Sequence, residues 1–275
     1  MDAVRRAQYL EALGIDVWRS RAAPDRAEGA ALMEEPRPIE APGPVEARGP
    51  IEALGVAEAL TPVMVPGPVE APQAGRADDA ATVEAWRVLR AEVEACTKCP
   101  LHRTRTQAVF GVGDPRAEWL VIGEAPGADE DRKGEPFVGR AGQLLDAMLK
   151  AIGLARGKNV YIANVLKSRP PGNRDPKPQE VASCLPYLIR QIELIRPALI
   201  LAVGRIAAQN LLATDLPLSR LRGRVHTFGA LNTPVVVTYH PAYLLRTPAD
   251  KRKAWEDLKF ARSVLRELAA RGTRL

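Results

Sequence analysis

The sequence predicts an α/β fold: a three-layer sandwich with a central four-stranded, mainly parallel sheet. Three observations predict it. Four short apolar runs, at 119–123, 160–166, 199–204 and 234–240, have the length and content of buried strands. Segments of helical periodicity separate them near 143–152, 179–195 and 205–213, and another runs near 251–271. Strands alternating with helices imply parallel pairing with both sheet faces covered. Glycine, proline and charged residues gather directly after the apolar runs. In a parallel sheet those loops converge at the carboxyl edge, where α/β folds place their sites.

Taken in order, the chain opens with apolar residues at helical spacing, Val4, Ala7, Leu10 and Leu13, before a stop at Gly14. Residues 1–21 are read as an amphipathic element, by default a docking helix. Residues 22–80 change composition: between 22 and 77 there are ten prolines and no lysine. A degenerate six-residue repeat runs through Pro38-Ile39-Glu40-Ala41, Pro44-Val45-Glu46-Ala47 and Pro50-Ile51-Glu52-Ala53. Few copies are intact and proline recurs, so the expectation is an acidic, semi-extended linker rather than a β-helix. Residues 81–275 form the expected catalytic domain, opening on a helix marked by Trp86, Leu89 and Val93.

Charge and composition narrow the function classes. The chain has 275 residues, 46% of them hydrophobic, and a net charge of +6. The segment 22–77 holds nine acidic and four basic residues, so the basic surplus belongs to the folded part. That balance permits a polyanionic partner. No run approaches the ~18 apolar residues of a membrane span, and the N-terminus lacks a signal-peptide core, so a cytoplasmic monomer is expected. Three cysteines, Cys96, Cys99 and Cys184, argue against a disulfide framework. The Cys96-x-x-Cys99 spacing suggests a metal, a cluster or a redox pair. No P-loop or dinucleotide fingerprint is present.

The loop after the first strand, Gly123-Glu124-Ala125-Pro126-Gly127-Ala128-Asp129-Glu130-Asp131, carries more carboxylates than a turn requires. A second loop, His240-Pro241-Ala242-Tyr243-Leu244-Leu245-Arg246, follows the fourth strand. Between them lie Gly134-Glu135-Pro136-Phe137-Val138-Gly139-Arg140-Ala141-Gly142, Asn164-Val165-Leu166-Lys167 and Arg169-Pro170-Pro171-Gly172-Asn173-Arg174. With Cys96-x-x-Cys99-Pro100-Leu101, these blocks in this order over residues 84–262 closely resemble the family 4, iron–sulfur type of uracil-DNA glycosylase.

The resemblance implies hydrolysis of the N-glycosidic bond of deoxyuridine in DNA, leaving an abasic site for base excision repair. The enzyme must evert the nucleotide, read the uracil edge, stabilise the leaving anion and supply water. Phe137 is expected to stack on the everted base, and Asn164 to pair with its N3–H and O4 edge. His240 is expected to donate to O2 as negative charge develops there. Glu124 and Glu130 are the expected carboxylates for positioning water and stabilising the sugar cation. Ala125 falls where a related family has a catalytic Asp, and is expected against the substrate. Asp129 and Asp131 are read as solvated or helix-start charges. Lys167, Arg169, Arg174 and Arg246 are expected on DNA phosphates, and Leu244 with Leu245 as a wedge filling the vacated stack.

The family ligates a structural [4Fe–4S] cluster with four cysteines. Cys96, Cys99 and Cys184 align with three, but Ser168 stands at the fourth position. A structural cluster with an unusual fourth ligand is the expectation; a three-thiolate zinc site completed by another group, or no metal, are the alternatives. A different class also remains: a non-catalytic protein binding uracil or damaged DNA. The N-terminal segment is expected to tether a repair or replication partner.

Overall fold

The computed structural model describes residues 80–270; the expected N-terminal element 1–21 and nearly all of the linker lie outside the described residues. The chain enters through α1 (Ala80–Glu94), then runs β1 (Val112–Gly113), β2 (Trp119–Gly123), α2 (Ala128–Lys133), α3 (Arg140–Ala151) and β3 (Val160–Asn164). It continues through α4 (Pro178–Ile195), β4 (Leu199–Val203), α5 (Arg205–Leu212) and α6 (Leu218–Leu221). It ends with β5 (Val225–Phe228), β6 (Thr233–Thr238), α7 (Pro241–Arg246) and α8 (Lys251–Ala270).

The sheet has six strands, ordered β1-β3-β2-β4-β6-β5, where the sequence suggested four. β2 pairs in parallel with β3 and β4, and β4 with β6. β1 and β5 pair antiparallel at the two edges. They escape a search for apolar runs for a physical reason. β1 is two residues long, and β5 alternates exposed and half-buried positions.

Every residue of β2, β3, β4 and β6 is buried, which explains their continuous apolar runs. Alternation divides these residues between two cores. Leu120, Ile122, Ile200, Ala202, Val235 and Val237 join Leu188 and Ile192 of α4 and Ala207 and Ala208 of α5 on one face. Trp119, Val121, Leu201 and Val236 join Leu145 and Leu149 of α3 and Leu258 and Ala261 of α8 on the other. The crossover from β2 to β3 therefore uses one face and that from β3 to β4 uses the opposite face. After β3 the chain reverses its direction across the sheet and returns past β2 to β4, and such a switch opens a crevice between β2 and β4 beyond the carboxyl ends of the strands.

Register fixes what meets at that edge. Gly123 pairs with Asn164, and Val203 with Thr238. The loops beginning at Glu124, Val165, Gly204 and Tyr239 thus leave the sheet at one level. No described helix is long and apolar enough to cross a membrane.

Candidate active site

At this edge lies a cleft of about 410 Å³. Its walls include Glu124, Ala125, Glu130, Phe137, Asn164, Arg174, His240 and Arg246, eight residues singled out from the sequence, gathered from three strand ends and the turn before α3. Asp175, Asn173 and Tyr243 also line it and were not foreseen.

Asn164 is the last residue of β3 and only 2% exposed. Its Oδ1 is buried and finds no hydrogen-bond partner among the described residues. Such an acceptor costs free energy unless something fills it. Phe137 sits beside it: a Cβ built on Gly123 would lie 2.5 Å from both Asn164 Oδ1 and the Phe137 ring. Glycine at 123 therefore lets ring and carboxamide close over the end of β2. The Phe137 and His240 rings lie 5.5 Å apart between centroids, tilted by 32°.

His240 caps α7. Its Nδ1 accepts the Ala242 backbone N–H at 3.1 Å, and burial, helped by the positive charge of Arg246, pulls its pKa down to about 4. The imidazole is therefore neutral near pH 7. With Nδ1 accepting, the ring proton is on Nε2, which makes Nε2 a donor.

Glu124 follows β2 directly. Burial, reinforced by Asp175 and opposed by Arg205, raises its carboxyl to about 7. Arg205 is held to Asp175 at 2.8 Å. The buried carboxyl can thus exchange a proton near neutrality.

Glu130, expected as a catalytic carboxylate, lines the cleft and is held by the backbone. Its Oε1 accepts the N–H groups of Val138 and Gly139 at 2.9 and 3.1 Å, and its Oε2 accepts that of Gly127 at 3.1 Å. Three backbone donors make it a clamp between the loop after β2 and the turn before α3. Asp131, read from the sequence as a solvated or helix-start charge, is buried and accepts the Thr106 N–H through both oxygens at 3.0 Å.

Two of the residues assigned to DNA are corrected outright. Lys167 is 1% exposed; its ammonium donates to Asn164 O at 2.9 Å and Gln191 Oε1 at 2.6 Å, away from any phosphate. The apolar surroundings that hide it also lower its pKa to about 7. Leu244 is 1% exposed and belongs to the α3–α8 core, so it cannot act as a wedge. Leu245 is half-buried and Arg169 bonds to Asn173; neither lines the cleft. Arg174 forms a two-point pair with Glu180 at 2.9 and 2.5 Å, which fixes the loop before α4. Arg246 is exposed at the rim.

Residues 110–259 match the model of the uracil DNA glycosylase superfamily. A type-4 uracil-DNA glycosylase from Archaeoglobus fulgidus is 49% identical over 174 residues, which span 61% of this chain and 87% of that protein. The chain belongs to the type-4 uracil-DNA glycosylase family. A type-4 enzyme from Pyrobaculum aerophilum is 43% identical over 60% of this chain and 87% of its own length. Another from Thermotoga maritima is 39% identical over 67% and 96%.

This type-4 chain differs from its family's pattern at the cysteine corner. Cys99 and Cys184 are buried and Cys96 is half-buried. Burial raises the Cys184 thiol, the Lys167 N–H and its charge oppose that, and the other two cysteines add to it. At the fourth position, the Ser168 hydroxyl accepts Arg105 Nη1 at 2.9 Å. The same guanidinium donates through Nη2 to Glu94 O at 2.6 Å and Cys96 O at 3.2 Å. Among the described residues, no three His, Cys, Asp or Glu side chains form a group that could hold a metal ion. The donor set is three thiols and an engaged hydroxyl, which does not fit a four-thiolate cluster.

Proposed function

We propose that this protein is a uracil-DNA glycosylase that hydrolyses the N-glycosidic bond of deoxyuridine in DNA and leaves an abasic site. The observation that carries the reading is the buried, partnerless Oδ1 of Asn164 beside the Phe137 ring, which itself lies 5.5 Å from the His240 imidazole. An acceptor in that position calls for an N–H donor, and uracil offers one at N3. Cytosine offers an acceptor at N3 and would leave two acceptors facing each other. Uracil excision by the type-4 relatives supports the same substrate.

The base, once everted, packs on Phe137 with its N3–H and O4 edge toward Asn164. His240 donates from Nε2 to uracil O2, where negative charge accumulates as the bond to the sugar breaks. A neutral donor needs no proton from solvent and stays available across the physiological range. Glu124, as a carboxylate, positions water and offsets the positive charge of the sugar. Glu130 holds the two cleft loops in register. Arg246 meets a phosphate at the rim, and Arg174 keeps the neighbouring loop in place.

A labelled oligonucleotide with one uracil, incubated with the protein and then treated with alkali, tests the reading. Strand breaks at the uracil are expected, with a rate that rises through about pH 7 as Glu124 ionises. Tight retention of the oligonucleotide without breaks would instead establish the alternative, a non-catalytic binder of uracil-containing DNA.

For the cofactor, the arrangement at Ser168 supports a corner braced by Arg105 in place of a complete cluster. Protein purified without oxygen is expected to carry well under one iron per chain and no visible iron–sulfur absorption. Ser168→Cys, which restores a fourth thiol, is expected to gain both. Four irons per chain in the unaltered protein would refute this.

The domain reading follows: residues 81–275 as the catalytic domain, with 1–80 a tether for a repair or replication partner. The family match over residues 110–259 supports the catalytic part of this reading. The expected site of action is the cytoplasm.

A further inference from the structure

We infer that Arg156, which lies outside the cleft, is a positioning residue that holds the Phe137 platform from behind. The inference rests on the reading of Phe137 as the surface on which the base stacks.

Arg156 sits in the turn between α3 and β3, far from the acidic and histidine loops in sequence. Each of its three nitrogens donates. Nη1 donates to Pro136 O at 2.8 Å, Nη2 to Phe137 O at 2.6 Å, and Nε to Asp146 Oδ1 of α3 at 3.1 Å. A rigid planar fork bonded to two consecutive carbonyls fixes the orientation of the peptide between them. Asp146 in turn fixes the fork.

That peptide needs fixing. Phe137 has φ +55°, the left-handed region that a bulky side chain rarely adopts without support. On its inner side α3 passes so close that a Cβ on Gly142 would fall 1.8 Å from Phe137 O. On its outer side the ring crosses Gly123 beside Asn164. The Phe137 carbonyl is therefore gripped by Arg156 and backed by Gly142, while Glu130 holds the next two N–H groups. Releasing the Arg156 grip lets the residue relax toward ordinary φ, and the ring must then swing off Gly123. A platform displaced by about 1 Å is enough to slow a positioned reaction up to about a hundredfold.

Single-turnover excision is measured for Arg156→Ala, Phe137→Ala and the double variant, together with affinity for uracil-free DNA and thermal midpoint. Arg156→Ala is expected to cut the excision rate at least about tenfold, with affinity for uracil-free DNA unchanged. The double variant is expected to match Phe137→Ala alone, because Arg156 acts through the ring that is already gone. Arg156→Lys, able to reach only one carbonyl, is expected to fall between wild type and Arg156→Ala. If Arg156→Ala melts at the assay temperature, Arg156→Lys stands in for it. A slow Phe137→Ala beside an unimpaired Arg156 variant would overturn this inference alone. Effects that multiply in the double variant would do the same, showing an independent structural role. An unimpaired Phe137→Ala would overturn the platform reading as well.

Discussion

Asn164→Asp is expected to slow uracil excision by about three orders of magnitude while the protein keeps its fold. The substitution is nearly isosteric and sits at the end of β3, where the backbone pairs with Gly123, so packing has no reason to change. What changes is the hydrogen-bonding sense. The carboxamide offers one acceptor to N3–H and one donor to O4. A carboxylate offers two acceptors, so O4 faces a lone pair in a site with little water to screen it. For cytosine one of two mismatches is relieved: its exocyclic amine now meets an acceptor in place of the amide donor, while its N3 lone pair still faces one. The preference for uracil over cytosine is therefore expected to narrow as the uracil rate falls. Single-turnover cleavage of matched oligonucleotides carrying either base measures both effects. Wild-type rates on uracil with a thermal midpoint unchanged would remove Asn164 from the site.

The four parallel strands were legible because burial on both faces writes a continuous apolar run, which survives in the sequence without any tertiary context. Strand ends were less so. The run at 160–166 continues past Asn164 because Val165 and Leu166 are as buried as the strand itself, their N–H groups bonded to Gly123 and Glu124. The cleft residues Phe137, Asn164 and His240 were legible through motif resemblance, and the fold brings them to one place. The rest depended on partners distant in the chain. Lys167 follows an apolar run like any loop base, and nothing local reveals that Gln191, a full helix away, takes its ammonium. Glu130 reads as one more acid in an acidic loop until the turn at Val138 and Gly139 delivers its amides. Leu244 and Leu245 look equivalent in sequence, yet helical geometry buries the first and leaves the second half-covered. Asp175 left a weak signal, a carboxylate beside the basic loop; Arg156 left none.

His240→Ala is expected to lower the rate of excision by about a hundredfold to a thousandfold, the usual loss when one donor to a developing oxyanion is removed. The pH dependence of that loss separates two ways for histidine to work. A pKa lowered to about 4 means the imidazole is already neutral at pH 5 and remains so at higher pH. The ratio of wild-type to variant rates should therefore be constant from about pH 5 to 9, although each rate alone rises through the ionisation of Glu124. An imidazolium donor would behave otherwise: the ratio would collapse above the ordinary histidine range, near 6.5, as the charge is lost. The backbone offers an independent check. Gly204 has φ +97°, and a Cβ there would meet the His240 Cβ at 2.9 Å. Gly204→Ala should push the imidazole off its place and lower the rate in the same direction, with the same flat ratio. A loss in either variant that disappears as pH rises would show that the charged form does the work, and the neutral-donor assignment would have to be abandoned.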